Sequence, residues 1–468
     1  MSNIVKEQDK LYKEYHDELP KIDPDEFKRL ARPHSLLGKL ISVLFIALCI
    51  FFISRFTVRV GEWYFFGGLM FVYLLVKEFF ALFYRPSKKE LTKPYKVSAI
   101  ITCYNEEPRS VVSILESIMK FEYCVHEVLF LDDGSKNSLA YEVAKSFAKD
   151  HEHLPNAPKF NIIRFDENRG KRAVLIDGFH AAEGDYLFLL DSDSVLAPNA
   201  LTELLRPFED GKTTSCVGHI GILNRKENFL TRLQALTYFN AFHLGRAAQS
   251  VLGSVVICSG AFSVHRKDII LENLDKFEIK SFLGVKVSNG DDRTLTFISK
   301  LAGGKTRYQS TAYCATKVPA KWKTFQKQRR RWQRSGYIYT LRAIKELFPK
   351  RLPFLFWSFA ETYFWLVALV LFIISVLRNG ISIDWIDIIM FHIILSYKQN
   401  VFYLLYRPLH LLFAPIYSAV YSVSLIITRI YAAITIKNDG WGTRDKNDDD
   451  SAGKMNRSDD RIPQQVIN

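Results

Sequence analysis

Cysteine is scarce in this sequence, and the few cysteines show no pattern. The six, at positions 49, 103, 124, 216, 258 and 314, include no Cys-x-x-Cys pair and are accompanied by no paired-histidine pattern. Structural zinc sites and the disulfide frameworks of small secreted domains depend on such spacings. The sequence therefore excludes both, and it predicts reduced thiols in a cytosolic domain.

The first 35 residues also lack an apolar block, which argues against a signal peptide. They mix acids and bases and predict a polar cytosolic arm (1–35) that is flexible or lies on a surface. The polar, acidic stretch 447–468 likewise predicts a disordered tail.

What the chain has in abundance is apolar and basic residues. Its 468 residues are 48% hydrophobic, include 36 Phe and 22 Tyr, and carry a formal net charge of +14. The length allows two or three domains. A basic excess can serve nucleic acid, an anionic membrane surface or an anionic substrate. The position of the charge along the chain has to decide between these.

Long apolar runs cluster at both ends of the chain. Runs at 40–54 and 63–84 predict a transmembrane hairpin (36–84), and runs at 354–377, 385–406 and 409–436 predict a C-terminal transmembrane channel region (351–436). Each approaches the roughly 20 residues that a bilayer helix needs. The alternative for the first two runs is a buried helical pair of a soluble protein.

Basic residues predict the orientation of these runs. Arg85, Lys88, Lys89, Lys93 and Lys96 follow the second run, whereas its short connector to the first run holds only two arginines. The bias of lysine and arginine places the N-terminus and the segment after residue 85 in the cytoplasm. We therefore predict a multi-pass protein of the cell (plasma) membrane with a cytoplasmic domain at 85–318.

Within 85–318, short apolar strands alternate with helical segments. Strand 97–103 ends in Tyr-Asn-Glu-Glu, 127–131 in Asp-Asp-Gly-Ser, 160–165 near Asn-Arg-Gly-Lys, and 186–190 in Asp-Ser-Asp. This alternation predicts an α/β domain with a mostly parallel, doubly wound sheet that binds its ligand at the carboxyl ends of the strands. Four polar motifs at that edge indicate a functional site rather than four ordinary turns.

The fourth motif carries the clearest chemistry. Asp191 and Asp193 share one face of a strand end, so their carboxylates can converge on one point. Hard oxygen ligands in this arrangement suit Mg²⁺ or Mn²⁺, particularly when substrate phosphates complete the coordination. Asp132 and Asp133 could accept hydrogen bonds from a base or a ribose.

Two further motifs lie downstream. Asp292 follows Asp291 in Gly-Asp-Asp-Arg, where a like-charged neighbour raises one pKa and favours a general base. Gln328, Arg331 and Trp332 form Gln-x-x-Arg-Trp, in which arginine suits phosphate and tryptophan offers a face to a sugar ring. They lie in a basic, aromatic stretch (319–350) that directly precedes an apolar run. This position favours interfacial helices on membrane headgroups over nucleic-acid binding.

Taken together, these motifs resemble the processive, membrane-embedded family 2 glycosyltransferases, which include cellulose, chitin and hyaluronan synthases. The resemblance rests on Asp132-Asp133-Gly134-Ser135, Asp191-Ser192-Asp193, Gly290-Asp291-Asp292 and the segment 328–332. Cys258-Ser259-Gly260, residues 282–284, residues 308–312 and Trp441-Gly442-Thr443-Arg444 are most similar to class I hyaluronan synthases. The resemblance covers roughly residues 36–446.

The resemblance implies a GT-A-type domain inserted between transmembrane segments, and a role for each motif. Tyr104, Glu106, Asp132 and Lys171 would surround uridine, Asp191 and Asp193 would bind Mg²⁺ or Mn²⁺ with the diphosphate, and Asp292 would be the catalytic base. Cys258, Ser259 and Trp332 would contact the acceptor sugar, Gln328 and Arg331 the acceptor or pyrophosphate, and Trp441 and Arg444 would belong to a gating loop (437–446).

The implied reaction is an inverting polymerisation of UDP-GlcNAc and UDP-glucuronate, with the polysaccharide leaving through the membrane helices. Nodulation-type chitooligosaccharide synthases share the core motifs, so a chitin-like synthase that uses UDP-GlcNAc alone stays open. A transferase acting on a lipid-linked sugar, and a transporter or receptor with a regulatory nucleotide-binding domain, are further alternatives. The first usually lacks the Gln-x-x-Arg-Trp stretch.

Overall fold

Four strands predicted from the sequence form the parallel half of one eight-stranded sheet. The computed structural model describes residues 11–15, 19–22, 36–60, 63–279, 281–287, 289–379, 385–407 and 413–437. The strands are β1 Val97–Cys103, β2 Glu127–Asp132, β3 Lys159–Arg164, β4 Tyr186–Asp191, β5 Val195–Leu196, β6 Thr213–Ile222, β7 Phe262–Arg266, β8 Ser281–Phe282, β9 Val285–Lys286 and β10 Lys305–Thr316.

The sheet runs β3-β2-β1-β4-β7-β6-β10-β5, and β8 and β9 form a separate hairpin. Strands β3, β2, β1 and β4 are mutually parallel, and β10 is parallel to β6. Strand β7 is antiparallel to both of its neighbours, and β5 is antiparallel to β10. The prediction of an α/β domain with a mostly parallel sheet is confirmed.

Strands β5, β6, β7 and β10 of the sheet were not predicted from the sequence, and β7 shows one reason why. Its two inward polar residues satisfy each other, because Ser263 Oγ lies 2.9 Å from His265 Nε2 and Ser215 Oγ of β6 lies 2.7 Å from His265 Nδ1. All three side chains are fully buried. Buried polar groups need such partners. Because Ser263 and His265 interrupt the strand, it has no continuous apolar run by which the sequence could reveal it.

The helices cover the sheet and form a second, apolar layer. They are α1 Leu36–Val60, α2 Trp63–Phe83, α3 Pro108–Met119, α4 Leu139–His151, α5 Lys171–Ala181, α6 Ala200–Leu205, α7 Phe229–Asn240, α8 Ala247–Val251, α9 Lys267–Glu272, α10 Leu274–Phe277, α11 Asp291–Leu301, α12 Trp322–Leu347, α13 Leu352–Asn379, α14 Trp385–Tyr406 and α15 Ala414–Ile434. A π-helical segment, Ala241–Arg246, joins α7 to α8.

The apolar helices α1, α2, α13, α14 and α15 occupy the regions of the predicted membrane runs. By length and composition, one helix of the described ranges, α15, is long and apolar enough to cross a membrane. Many apolar side chains of these helices point away from the protein, including Leu40 and Leu44 of α1 and Ile427 of α15. The basic stretch forms one continuous helix, α12, instead of several.

Part of the N-terminal arm is docked on the α/β domain. Tyr12 is buried, its hydroxyl donates to Asp150 Oδ2 at 2.5 Å, and its ring packs edge-on against Phe147 and His151 of α4. Lys13 forms an ion pair with the same carboxylate at 3.4 Å. The described arm residues therefore lie on the domain surface. The predicted disordered tail (447–468) lies outside the described residues.

Candidate active site

The register of the parallel strands brings the predicted motifs to one edge of the sheet. Asp132 at the end of β2 pairs with Cys103, and Asp191 at the end of β4 pairs with Thr102, on either side of β1. Parallel strands end at the same edge, so the loops that follow them converge there. The structure thus brings together the loops that begin at Tyr104, Asp133 and Ser192.

Asp191 and Asp193 form the acidic corner of this edge. The ammonium of Lys171, the first residue of α5, lies 2.6 Å from Asp191 Oδ1. Burial lowers the pKa of Lys171, but the carboxylates of Asp191, Asp291 and Asp292 outweigh burial, and the pKa is raised. Lys171 therefore carries a positive charge beside the acidic pair, where it can face a phosphate.

The donor set of this corner fits a hard divalent cation. Burial, followed by the nearby carboxylates of Asp191 and Glu106, raises the pKa of Asp193 to about 7. A cation would relieve this repulsion, and oxygen ligands are those that Mg²⁺ and Mn²⁺ take. Across the ranges that the structure describes, no group of three His, Cys, Asp or Glu side chains is arranged to hold a metal by itself. Other ligands of such an ion would have to come from the substrate.

Asp132 lies at the neighbouring strand end and is completely buried. Its Oδ1 accepts hydrogen bonds from the backbone N–H and the hydroxyl of Ser135, at 3.2 and 2.5 Å. Its Oδ2 is buried and accepts no hydrogen bond, although the Arg164 guanidinium lies 3.3 Å away. Burial raises the pKa of Asp132, against the lowering effects of Ser135 and Arg164. An unsatisfied buried oxygen of this kind suits an N–H donor of a ligand.

The loop that holds Tyr104 and Glu106 is attached to the Asp132 loop. Asn105 has a left-handed backbone, with φ of 52°, and its backbone N–H donates to Ser135 Oγ at 2.8 Å. Its side-chain oxygen accepts from the Lys136 N–H at 2.9 Å. Tyr104 is buried and Glu106 is half-buried, close enough to Asp193 to affect its pKa. These two predicted residues therefore lie between the Asp132 and Asp193 corners.

Asp133 holds the backbone of the turn at 168–170. Its carboxylate accepts from the N–H groups of Arg169 and Gly170 at 2.7 and 3.0 Å, and from the Asn168 amide at 3.1 Å. It thereby orders the turn that starts α5 and presents Lys171. Asp132 and Asp133 are neighbours in the sequence but have different hydrogen-bond partners, which the sequence does not show.

Asp292, the predicted base, lies at the start of α11 and lines the same cavity as Asp191. Burial is the main cause that raises its pKa, while Arg293 lowers it and Asp291 raises it by less. The sequence-based explanation, a like-charged neighbour, is therefore the smaller effect. Asp291 is buried and its charge is balanced by Arg172, whose Nε lies 2.8 Å from Asp291 Oδ1.

Arg172 is an important residue that sequence reasoning missed. Besides Asp291, its guanidinium donates to the Val287 carbonyl at 2.8 Å and to the Tyr339 hydroxyl at 3.1 Å, and it lies over the Phe277 ring. It therefore links the start of α5, the segment that precedes Asp292, and α12. The one available signal was its position next to Lys171, which does not reveal partners more than 100 residues away.

Gly290 allows the segment that contains Asp292 to approach α12. Its φ is +91°, in the left-handed region, and an added Cβ would lie 2.9 Å from Tyr339 Cε2 and 3.0 Å from Ser335 Cβ. Only glycine meets both the backbone and the space requirement. This explains the glycine in Gly-Asp-Asp-Arg.

The Gln-x-x-Arg-Trp residues lie on α12 and face the cavity: Gln328, Arg331 and Trp332 all line it. The intervening Arg329 is buried, and its guanidinium lies 4.6 Å from the Trp332 ring centroid and 5.0 Å from that of Phe325. Gln328 Oε1 is buried without a hydrogen-bond partner. The motif thus presents an aromatic ring and an unsatisfied amide oxygen to the cavity.

The Cys-Ser-Gly motif is divided between the core and the cavity. Ser259 and Gly260 line the cavity, and a Cβ added to Gly260 would lie 4.0 Å from Asp292 Cβ. Cys258 is completely buried, and burial raises the pKa of its thiol to about 12. Its backbone N–H donates to Thr296 Oγ1 at 2.8 Å. In this structure Cys258 supports the wall, while its neighbours form the wall itself.

The acidic corner, Asp292 and the Gln-x-x-Arg-Trp residues line one cavity of about 1030 Å³, whose lining does not include Tyr104, Glu106, Asp132 or Cys258. Its lining includes Lys171, Asp191 and Asp193 of the acidic corner, and Ser259, Asp292 and Trp332. The cavity continues between the apolar helices, where Lys77, Arg246, Glu361, Lys398 and Arg429 line it. Trp441 and Arg444, the predicted gating-loop residues, lie outside the described residues.

Comparisons with known proteins identify the family of this chain. Residues 98–274 match the family described as Glycosyl transferase family 2. The chain is 32% identical over 409 residues to a hyaluronan synthase of Streptococcus pyogenes serotype M1, covering 87% of this chain and 96% of the relative. It is 35% identical over 252 residues to an N-acetylglucosaminyltransferase of Mesorhizobium japonicum, covering 54% of this chain and 58% of that protein.

A solved structure is similar in fold. It is a mannosyltransferase from Pyrobaculum calidifontis in complex with GDP-Man and Mn²⁺, with a TM-score of 0.52 and 18% identity, covering 83% of this chain and 99% of that chain. The α/β domain accordingly has a GT-A-like glycosyltransferase fold. On the identity shared with the streptococcal enzyme over most of the chain, this protein belongs to the family 2 glycosyltransferases and is an enzyme of the hyaluronan synthase type.

Proposed function

We propose that this protein is a processive inverting glycosyltransferase that polymerises hyaluronan from UDP-GlcNAc and UDP-glucuronate and secretes the polymer through a channel between its own apolar helices. The observation that carries this proposal is the cavity. It joins an acidic, lysine-bearing corner, the half-buried carboxylate of Asp292, the Trp332 ring, and polar side chains on the apolar helices. The choice of polymer is supported by the similarity to a hyaluronan synthase, which extends over 96% of the length of that protein.

The donor nucleotide would occupy the edge of the sheet. Tyr104, Glu106 and Asp132 would surround uridine, with the unsatisfied Asp132 Oδ2 available to an N–H of the base. Lys171 lies against Asp191 and would face the diphosphate as well as the nucleoside. A divalent cation, Mg²⁺ or Mn²⁺, held by Asp191 and Asp193 would supply positive charge for the departing diphosphate.

Transfer would be a single displacement. The Asp292 carboxylate accepts the proton of the acceptor hydroxyl, whose oxygen forms a bond to the anomeric carbon of the donor sugar. The bond from that carbon to the diphosphate oxygen breaks at the same time, and UDP leaves with the electron pair. Ser259 and Trp332 would hold the acceptor sugar, Gln328 and Arg331 would contact the acceptor or the diphosphate, and Cys258 would support this wall.

We place the protein in the cell membrane with the α/β domain and α12 on the cytoplasmic side. Outward-facing apolar side chains on α1, α13 and α15 favour lipid contact. Basic residues after α2 and along α12 favour the cytoplasmic leaflet. Trp441 and Arg444 would close over the nucleotide.

The second candidate is a chitin-type synthase that uses UDP-GlcNAc alone. It is favoured by the 35% identity to an N-acetylglucosaminyltransferase over part of the chain. The two candidates share the donor corner and the base, and they differ in whether glucuronate enters the product.

The test is polymer synthesis by the purified full-length protein from both labelled nucleotide sugars. We expect incorporation of both sugars into a product that a hyaluronan-specific lyase digests. Asp292→Asn and Asp191→Ala should reduce synthesis by about 10²- to 10⁴-fold. The control Asp185→Asn changes an exposed aspartate at the opposite end of β4 and should leave synthesis unchanged. Incorporation of GlcNAc alone would favour the chitin-type reading, and full activity of Asp292→Asn would reject the base.

A further inference from the structure

The cavity wall beyond Asp292 carries an excess of positive charge. Among all residues that line the cavity, lysines and arginines outnumber aspartates and glutamates nine to five. Four of these five carboxylates lie at the acidic corner or at the start of α11: Asp191, Asp193, Asp291 and Asp292. On the side of the apolar helices, the lining cations are Lys77, Arg246, Arg293, Lys398 and Arg429, and the lining carboxylate is Glu361. Lys398 is already paired with Glu78, and both side chains are buried.

Two of these cations, Arg246 and Arg293, lie near each other on this wall. Arg293 follows Asp292 in α11, and Arg246 is the last residue of the π-helical segment Ala241–Arg246. A π-helical turn shifts the residues after it relative to an α-helix and is frequently found at functional sites. In the ranges described, neither side chain forms an ion pair or a hydrogen bond with a carboxylate, and Arg246 Nε is buried without a partner.

The two guanidinium groups also repel each other. Burial lowers the pKa of Arg293, and the charge of Arg246 lowers it further, against the raising effect of Asp292 and Glu361. Glu361, the lining carboxylate on this side, is one negative charge among several cations and offsets only part of their charge; it also accepts a hydrogen bond from the Gln249 amide at 2.6 Å. Two like charges on a partly buried wall are unfavourable unless an anion binds between them.

We propose that Arg246 and Arg293 form a subsite for the carboxylate of an acidic saccharide on the acceptor side of Asp292. Guanidinium groups bind carboxylates through parallel charge-assisted hydrogen bonds, and Arg246 Nε offers an unused donor. The inference rests on the proposed function, because a glucuronate-bearing acceptor brings such a group next to the base. A neutral acceptor has nothing to fill the subsite.

The experiment measures single-sugar transfer from UDP-GlcNAc to two acceptors by the full-length protein. One acceptor is a hyaluronan tetrasaccharide that ends in glucuronate, and the other is the same oligosaccharide with its carboxylates reduced to alcohols. The readout is the ratio of kcat/KM for the acidic acceptor to that for the reduced acceptor. Because both values come from one preparation, a general loss of folded enzyme does not change the ratio.

For the unmodified protein we expect a ratio of about ten or more, the value of a charge-assisted hydrogen bond expressed as a rate ratio. Arg246→Gln and Arg293→Gln should bring it close to one, and Arg293→Lys should keep part of it. The control Arg266→Gln removes a surface arginine paired with Asp268 and should leave it unchanged. Higher ionic strength should lower the ratio of the unmodified protein.

Two results would overturn the subsite: an unchanged ratio in both glutamine variants, or equal use of the two acceptors by the unmodified protein. Neither result touches the proposed glycosyl transfer, since transfer itself is then observed. Failure of the unmodified protein to transfer GlcNAc to either acceptor would instead reject the proposed function.

Discussion

Replacing Arg172 by lysine should disconnect the base-bearing segment from the donor side of the site. The guanidinium holds Asp291 Oδ1 at 2.8 Å, the Val287 carbonyl at 2.8 Å and the Tyr339 hydroxyl at 3.1 Å, and it is largely buried. A lysine ammonium can pair with Asp291, but it cannot reach the carbonyl and the phenol at the same time, because its donors originate from one nitrogen.

The magnitude follows from these contacts. Each lost hydrogen bond has a charged donor and contributes about 1.5–3 kcal/mol. Losing two therefore destabilises the ordered segment by about 3 kcal/mol at the lower bound, which corresponds to roughly a hundredfold change in an equilibrium. With Asp292 as the proposed base, we expect kcat to fall by about a hundredfold while KM for the nucleotide sugar changes little.

The assay is steady-state polymer synthesis, with Arg169→Lys as the matched control. Arg169 lies three residues earlier and also forms a 2.7 Å ion pair, but its partner, Asp177, belongs to α5 itself. A second variant, Arg172→Met, leaves the Asp291 carboxylate without its cation. A nearby negative charge raises the pKa of Asp292 further. As the pH is lowered, Asp292 then becomes protonated at a higher pH than in the unmodified protein. The acidic limb of the kcat/KM profile should therefore shift to higher pH.

Two results would refute this reasoning. Arg172→Lys could retain full kcat, which would show that the base-bearing segment is ordered without the guanidinium. Alternatively, Arg169→Lys and Arg172→Lys could lose activity equally with unshifted pH profiles. The effect would then be general destabilisation around α5.

Three further predictions concern packing and accessibility. Gly290→Ala should lower the free energy of unfolding by about 2–4 kcal/mol, through left-handed strain and overlap with Tyr339 and Ser335. Gly284→Ala, which has the same backbone strain but open space, should lose only about 1–2 kcal/mol in the same thermal unfolding assay, and equal losses would contradict the overlap argument. Tyr12→Phe removes the hydrogen bond to Asp150 and should increase proteolysis of the arm, whereas Tyr15→Phe should not. Because that bond lowers the pKa of Asp150, the arm should be fully docked at neutral pH and released as the pH falls through the lowered value. In the native protein, maleimide should label exposed Cys124 and not buried Cys258; mass spectrometry showing labelled Cys258 would contradict a closed wall.

The local sequence pattern predicted four strands of the α/β domain. Strand β1 was predicted with its observed ends, and β2, β3 and β4 within one residue, because each is an apolar run that stops at a polar motif. Strands β5, β6, β7 and β10 were missed; in β7, the buried Ser263 and His265 interrupt the apolar pattern, and they are satisfied by each other and by Ser215 of β6. The docking of Tyr12 was missed for a similar reason, since its partner Asp150 is 138 residues away.

The sequence by itself determined the chemistry of the strand ends, because the parallel order of β3, β2, β1 and β4 requires their polar motifs to meet at one edge. It therefore predicted the family and the acidic pair Asp191 and Asp193. Only the tertiary structure decided how each of the neighbouring carboxylates is partnered. Asp133 accepts a hydrogen bond from the backbone of the turn before α5, and Asp291 forms an ion pair with Arg172. Asp292 lines the cavity, and burial raises its pKa. The physical reason is that burial and ion pairing depend on neighbours from distant segments, which the order of residues along the chain does not contain.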